Sequence, residues 1–261
     1  MTTYNQLQLR EIFHLQFLKN FSRKINHKHY ALKGGTNLRF FFGSCRYSED
    51  MDLDISGVRV DTLKTAVMDI LCAPSFIDSL RTFGIQQVVP PNISKAKQTE
   101  TTQRFKIHLL TVAGEDLFTK VEFSRRGYKE GIEVQPVSDE ILRTYKMPPL
   151  IISHYEINSA LWQKVGALAE RTTIQARDLF DLHILIPQYQ KKAAKHITAC
   201  DIKTISKAIE NIYSIIYNQF RDTVLAYLSQ EDAMRYSLES VWDEIKLKTV
   251  EFLENWGKKN G

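Results

Sequence analysis

Two short stretches of this chain hold the residues best suited to chemistry: Lys33-Gly34-Gly35-Thr36 and Asp50-Met51-Asp52-Leu53-Asp54. Two glycines followed by a hydroxyl residue at a helix start form a seat for phosphate, because backbone N–H groups approach an anion closely there and the helix dipole favours it. In the second stretch Asp50 and Asp52 stand on one face of a strand, since side chains alternate. Two carboxylates that close repel each other unless a hard cation with a preference for oxygen, Mg²⁺ or Mn²⁺, lies between them. Such an ion would neutralise nucleotide phosphates and carry the developing charge of phosphoryl transfer.

The elements that must position these groups follow from periodicity. Residues 5–22 carry Leu9, Ile12, Phe13, Phe17 and Phe21 among polar groups, which predicts an amphipathic helix. Tyr30 to Leu32 reads as a strand entering the glycine turn, and Asn37 to Phe42 as a short helix. Tyr47 to Ser56 alternates Met51, Leu53 and Ile55 against the three aspartates, as a half-buried strand does. Residues 60–82 read as a helix interrupted at Pro74, and 87–102, with Pro90-Pro91, as a loop. Gln103 to Val112 and Phe118 to Ser124 alternate as strands, with Gly114-Glu115-Asp116 turning a hairpin between them. After Pro148-Pro149 the pattern turns helical over 156–170, 175–186, 201–227 and 231–256, with Lys191, Lys192 and Lys195 on a basic connector. The reading is an α+β fold: an α/β domain over 1–145 built on a mixed sheet with flanking helices, then an all-helical domain over 146–261.

Composition narrows the class. The chain has 261 residues, 43% apolar and 25% charged, which excludes a disordered or collagen-like protein. A net charge of +5 permits nucleic-acid or nucleotide partners without demanding them. Cys45, Cys72 and Cys200 have no metal-ligand spacing, and an odd, sparse count suits a reducing compartment. No apolar run approaches the roughly 20 residues of a membrane helix, and the first residues lack the layout of a signal peptide. A cytoplasmic protein without membrane contact is expected. The seven histidines are dispersed, so a histidine-metal or histidine-nucleophile mechanism has little support.

Lys33-Gly-Gly-Thr-Asn-Leu-Arg39 with Arg46-Tyr-Ser-Glu-Asp-Met-Asp52 resembles the AbiEii/AbiGii toxin nucleotidyltransferases, which include the MenT group, within the polymerase-β-like superfamily. The likeness extends to Lys164 and to Arg177-Asp178-Leu179-Phe180-Asp181-Leu182. It implies a minimal nucleotidyltransferase fold followed by helices that complete an active-site cleft, and nucleotide transfer from an NTP to an acceptor hydroxyl, with a tRNA 3′ end the acceptor for some members. It also implies a separately encoded antitoxin. Asp50 and Asp52 match the metal-binding pair, Lys164 the family's lysine, and Asp178 its later catalytic aspartate, leaving Asp181 structural. Thr36 stands where the family has serine and keeps the hydroxyl.

Other candidates extend the site. Glu122 shares a strand face with Lys120 and Ser124 and is placed to complete the metal site or to help deprotonate the acceptor. Lys164 and Arg171, seven residues apart, share a helix face from which both could reach phosphate, so that Lys164→Ala would spare folding. Arg39 and Arg46 bracket the short helix and could reach phosphate or anchor the acidic strand. The catalytic set is therefore Asp50, Asp52, Glu122, Lys164 and Asp178, and the nucleotide-binding set Lys33, Gly34, Gly35, Thr36, Arg46 and Arg171. Asp54 has no evident role. Two rivals use the same residues: a metal-dependent nuclease, and a non-catalytic nucleotide- or RNA-binding module that kept the fold.

Overall fold

A computed structural model of the chain describes residues 4–94, 96–126, 131–189 and 202–260. The basic connector at Lys191, Lys192 and Lys195, and Cys200, lie outside them. The chain divides into two compact units. The first comprises Met1–Phe41 and Tyr47–Tyr155; the second comprises Phe42–Arg46 and Glu156–Gly261.

The first unit is built on a seven-stranded mixed sheet of order β3-β4-β5-β2-β1-β7-β6. Its strands are β1 (Tyr30–Lys33), β2 (Asp50–Ile55), β3 (Ile85–Val89), β4 (Thr102–Thr111), β5 (Asp116–Ser124), β6 (Ile132–Pro136) and β7 (Ile151–Tyr155). The β2–β5 and β1–β7 pairs are parallel and the rest antiparallel. Its helices are α1 (Gln6–Lys24), α2 (Gly34–Phe41), α3 (Val60–Cys72), α4 (Pro74–Arg81) and α5 (Asp139–Thr144). Asn5 opens α1 with a capping box shared with Gln8, and Pro74 opens α4. The buried stripe of α1 packs on the sheet face formed by the apolar members of each alternation, with Phe21 against Phe123 of β5 at a centroid distance of 5.3 Å, and it also meets α4, Phe13 against Phe76 at 5.9 Å. The same alternation sends Asp50 and Asp52 of β2, Arg104 and Lys106 of β4, and Lys120 and Glu122 of β5 to the opposite face.

The regular elements described in the second unit are helices: α6 (Ile157–Glu170), α7 (Ala176–Leu185), α8 (Ile202–Tyr213), α9 (Tyr217–Thr223), α10 (Gln230–Tyr236) and α11 (Glu239–Asn260), with short 3₁₀ turns. Phe220 stacks on the buried Trp242 at 4.2 Å, and Phe180 meets Tyr236 edge-on at 5.1 Å.

Several expectations shift. The second unit begins at Glu156, not at 146, because Ile151–Tyr155 pairs with β1 as an interior strand of the sheet. Phe42–Arg46 also belongs to it. The loop over 87–102 starts later, since Ile85–Val89 forms an edge strand whose register shift at Ile85/Gln87 breaks the alternation. The long helices over 201–227 and 231–256 are each broken. Ser214 Oγ and Ser237 Oγ donate back to the carbonyls of Asn211 and Met234 at 2.7 and 2.9 Å, hydroxyl bonding that competes with helix continuation.

One buried polar cluster ties α1, α2 and α5 together. Arg39 Nε donates to Glu11 at 2.7 Å, its guanidinium lies 4.2 Å over the Tyr47 ring, and the Tyr145 hydroxyl donates to the same Glu11 carboxylate. Arg39 thus anchors the end of the short helix and does not face solvent phosphate. Burial, with the neighbouring Glu11 carboxylate, raises the Tyr145 hydroxyl far above its ordinary value. Glu11→Ala strands a buried cation and a buried hydroxyl, so it is expected to cost about 3 kcal/mol. Tyr145→Phe, which leaves the Glu11–Arg39 pair intact, is expected to cost about 1 kcal/mol. Urea midpoints of the two variants against the parent protein check the ordering.

Candidate active site

The acidic strand is held at its start by two hydroxyls. Thr36 Oγ1 and Ser48 Oγ both donate to the Asp50 carbonyl, at 3.0 and 2.8 Å, beyond the end of the β1 pairing. Thr36, expected to offer its hydroxyl to a phosphate, is 2% exposed and spends that hydroxyl on positioning the strand. Gly34 lies at φ +70°, and a Cβ placed there would stand 3.1 Å from Asp52 Oδ2. The first glycine of the turn is therefore required twice, by its left-handed backbone and by the carboxylate pressed against it.

Strand register brings the third carboxylate in. Asp52 stands opposite Glu122 on the parallel neighbour β5, and Asp50 opposite Lys120. Lys120 Nζ lies 3.0 Å from Asp50 and 3.6 Å from Glu122, while Arg104 Nε, one strand further out, donates to Glu122 at 2.6 Å. Burial resists ionisation of Glu122, but the hydrogen bond from Arg104 and the Lys120 charge outweigh it and hold the carboxyl below its usual range. Asp52 behaves differently. Burial pushes its carboxyl up, and the negative neighbours Glu122 and Asp50 add to the rise against the opposing pull of Lys120 and Lys33. It makes no hydrogen bond or ion pair with any described residue, whereas Asp50, Asp54 and Glu122 each have a cationic partner.

Lys33, expected at the triphosphate, is held by Asp54 at 2.5 Å, and Asp54 also accepts the Tyr155 hydroxyl at 2.6 Å. This gives Asp54 a role: it locks β2 to β1 and to the end of β7. Lys120 and Arg104 are the site residues that sequence reasoning passed over. Their signal was present as the alternation of β4 and β5, but which strands adjoin β2 was not.

In the second unit Lys164, Asp178, Asp181, Arg46 and Arg171 form one charge network. Lys164 Nζ sits 2.9 Å from Asp178 and 2.6 Å from Asp181, and Arg46 grips Asp181 through Nη2 at 3.0 and 2.9 Å. Arg171 Nη1 lies 3.3 Å from Asp178 Oδ2, an oxygen that is buried without a hydrogen bond. Asp178 and Asp181 are both fully buried. Burial works against the charged form of Lys164, but the two aspartates outweigh it and raise its ammonium above the ordinary value. Burial likewise opposes ionisation of Asp181, and Arg46 and Lys164 outweigh it and hold that carboxyl low.

Two expectations are corrected here. Lys164 does not lie on a solvated helix face, being 8% exposed between two buried acids. Arg46 is not free for phosphate, because its guanidinium is buried against Asp181. The partly exposed Arg171 is the cation of this network with solvent access.

The residues fit a hard divalent ion in part. Asp52 offers a half-buried carboxylate with no partner, beside Asp50 and Glu122, and all three offer oxygen. Among the described residues no three acidic, histidine or cysteine side chains are gathered as a ready-made metal cluster. Asp50 and Asp52 would be the ligands, with Glu122 beside them and tied to Arg104.

The profile of the AbiEii family, described as a nucleotidyl transferase toxin of a type IV toxin–antitoxin system, matches residues 16–254. The chain belongs to the AbiEii nucleotidyltransferase toxin family. It is a toxin nucleotidyltransferase, with a nucleotide as substrate and a separate antitoxin implied by the family. That membership decides against the non-catalytic rival. Among solved structures the AbiEii chain resembles MenT4, a nucleotidyltransferase toxin from Mycobacterium tuberculosis, at TM-score 0.65 and 14% identity over 95% of this chain and 84% of that one. It also resembles JHP933 from Helicobacter pylori at TM-score 0.55 and 18% identity over 99% and 97%. At such identities the likeness is one of fold. No curated protein sequence matches the chain. No described helix is long and apolar enough to cross a membrane.

Two substitutions probe the geometry. Gly34→Ala forces a Cβ against Asp52 in a left-handed backbone and is expected to cost about 1–2 kcal/mol of stability together with most of the transfer activity. Lys164→Ala leaves Asp178 buried with only Arg171 near, so it is expected to destabilise by about 3–5 kcal/mol, in contrast to the neutral outcome a surface lysine would give. Thermal melts of both variants check these values.

Proposed function

We propose that this nucleotidyltransferase uses Mg²⁺ or Mn²⁺, held by Asp50 and Asp52, to transfer a nucleotide from an NTP to a hydroxyl of an RNA, a tRNA 3′ end being the acceptor that the resemblance implies. The observation that carries the reading is Asp52: a half-buried carboxylate without a partner, its ionisation opposed by burial, pressed against the glycine turn and flanked by Asp50 and Glu122. A lone site of that kind costs stability unless a cation joins it.

When bound, the divalent ion neutralises triphosphate charge and eases departure of pyrophosphate. The protein's own groups do the rest. The turn at Gly34-Gly35 supplies backbone N–H groups to the phosphates, with the start of α2 behind them. Lys120 and Arg104 fix Asp50 and Glu122 in place. In the second unit Lys164 is held charged between Asp178 and Asp181, with the partly exposed Arg171 beside them. The acceptor oxygen forms a bond to the α-phosphorus while the bond from that phosphorus to the β-bridging oxygen breaks. Pyrophosphate leaves and the hydroxyl proton passes to solvent. Alignment and preorganised charge supply most of the rate. In this reading the protein acts in the cytoplasm.

The direct test incubates pure protein with each labelled NTP and total RNA. Label is expected to enter RNA in the presence of Mg²⁺ or Mn²⁺, and to be lost with Asp50→Asn or Asp52→Asn. RNA fragmentation without label incorporation would favour the nuclease. Metal binding has its own readout in the melting temperature. Saturating Mg²⁺, at about a hundred times its dissociation constant, should stabilise the parent protein by about 2.7 kcal/mol and the Asp52→Asn variant by much less. The raised Asp52 carboxyl fixes the sign in metal-free protein. The folded state holds that proton where the unfolded chain has lost it, so stability falls as pH rises from the unfolded value through the folded one. At neutral pH, without metal, Asp52→Asn should melt higher than the parent.

A further inference from the structure

Beyond the acidic pair, the same open sheet face continues outward as a strip of positive charge. Register places Arg104 opposite Glu122, Lys106 opposite Lys120 and His108 opposite Phe118. Arg104, Lys106 and His108 are alternate residues of β4, so all three stand on the face that carries the carboxylates. Lys97, on the segment preceding β4, joins them around a cavity of about 490 Å³. Lys97 and Lys106 are exposed, and neither makes an ion pair with a described residue. Arg104 is committed to Glu122, and His108 lies 2.9 Å from Asp116. Phe118 is 40% exposed on this face, its ring 5.6 Å from that of His108.

We propose that this strip, Lys97–Arg104–Lys106–His108 with Phe118, is the track for the acceptor strand: Lys97 and Lys106 contact phosphodiesters of single-stranded RNA and Phe118 stacks a base. Three observations point to a strand rather than to the triphosphate of the NTP. The strip follows β4 from Arg104 to His108, about 13 Å at the usual rise per residue, longer than one triphosphate occupies. Register puts Arg104 level with Glu122 and Asp52, Lys106 level with Lys120 and Asp50, and His108 beyond both, so the strip lies two strands out from the acidic strand and runs past it. It also pairs uncompensated cations with an exposed aromatic ring, the combination that binds single strands without reading their sequence. The geometry would guide an RNA end along β4 toward Glu122 and Asp52, where transfer takes place.

The proposal rests on the transferase reading above, but its test reads binding and not transfer, so the two fail separately. A short fluorescent single-stranded RNA of mixed sequence is titrated against the full chain in a series of salt concentrations. A non-hydrolysable NTP analogue is titrated in parallel. Lys97→Ala/Lys106→Ala is expected to weaken RNA binding on the order of tenfold at low salt and to flatten the slope of log affinity against log salt by about 1.4, the value for two lost phosphate contacts on a single strand. Phe118→Ala is expected to weaken RNA binding by about tenfold with the salt slope unchanged, since stacking carries no counterion release. Affinity for the NTP analogue should stay at the parent value in both variants, with melting curves confirming that each is folded. Unchanged RNA affinity in the folded double variant overturns the track, as does absence of RNA binding by the parent. A loss confined to the NTP analogue also overturns it and assigns the strip to the triphosphate.

Discussion

Like charge crowded onto one strand is the constraint around which the first unit is arranged. Asp50, Asp52 and Asp54 share a face of β2, where mutual repulsion would oppose folding if nothing answered it. The sheet answers from both sides. β5 brings Lys120 to Asp50, β1 brings Lys33 to Asp54, and β4 reaches across through Arg104 to hold Glu122. Of the three, only Asp52 makes no ion pair with a described residue, and it is the residue against which the glycine turn closes. The fold therefore satisfies every acid of the strip except the one in the centre. That pattern supports the cation site proposed at Asp52.

Positioning depends on backbone bonds as much as on charge. The carbonyl of Asp50 lies just past the end of the pairing with β1. Thr36 and Ser48 both supply a hydroxyl to it, which couples the turn before α2 to the start of the acidic strand. A movement of the turn is thereby a movement of Asp50. On the other side of the sheet His14 performs a similar service. Its ring reaches Thr119 Oγ1 at 3.0 Å, and that hydroxyl donates to the Glu49 carbonyl at 2.6 Å. Burial lowers the pKa of His14 to about 3, so it stays neutral and the bond persists at any physiological pH.

The helical unit solves a related problem in a drier setting. Two aspartates three residues apart on α7 are fully buried, and each must be neutralised within reach. Lys164 serves both, Arg46 completes Asp181, and Arg171 approaches Asp178 without satisfying its outer oxygen. The arrangement keeps Lys164 charged and rigid. It also explains why a lysine in the middle of α6 sits among Leu161, Val165 and Leu168 without disrupting the core.

The sequence alone was enough for the glycine turn, the Asp50–Asp52 pair and the main strands, because each is a local pattern: a left-handed turn needs glycine, and strand faces alternate every second residue. It was enough for the family too, since the motif from Lys33 to Asp52 is contiguous. What it could not supply was strand order. Nothing in the composition of Ile151–Tyr155 says that it pairs with β1, and nothing near Glu122 says that Arg104 stands opposite it or that Lys120 stands beside Asp50, because those contacts join residues far apart in the chain. Partner choice was equally hidden. Arg46 and Lys33 were legible as cations near a phosphate seat, but only folding decided that Asp181 and Asp54 would claim them. The broken helices after residue 201 failed for the converse reason. Their apolar periodicity runs on through Ser214 and Ser237, while the turns there are set by hydroxyl bonds to preceding carbonyls and by which face each helix must bury. Local patterns are written in neighbouring residues, whereas charge pairing and strand adjacency are settled by three-dimensional packing.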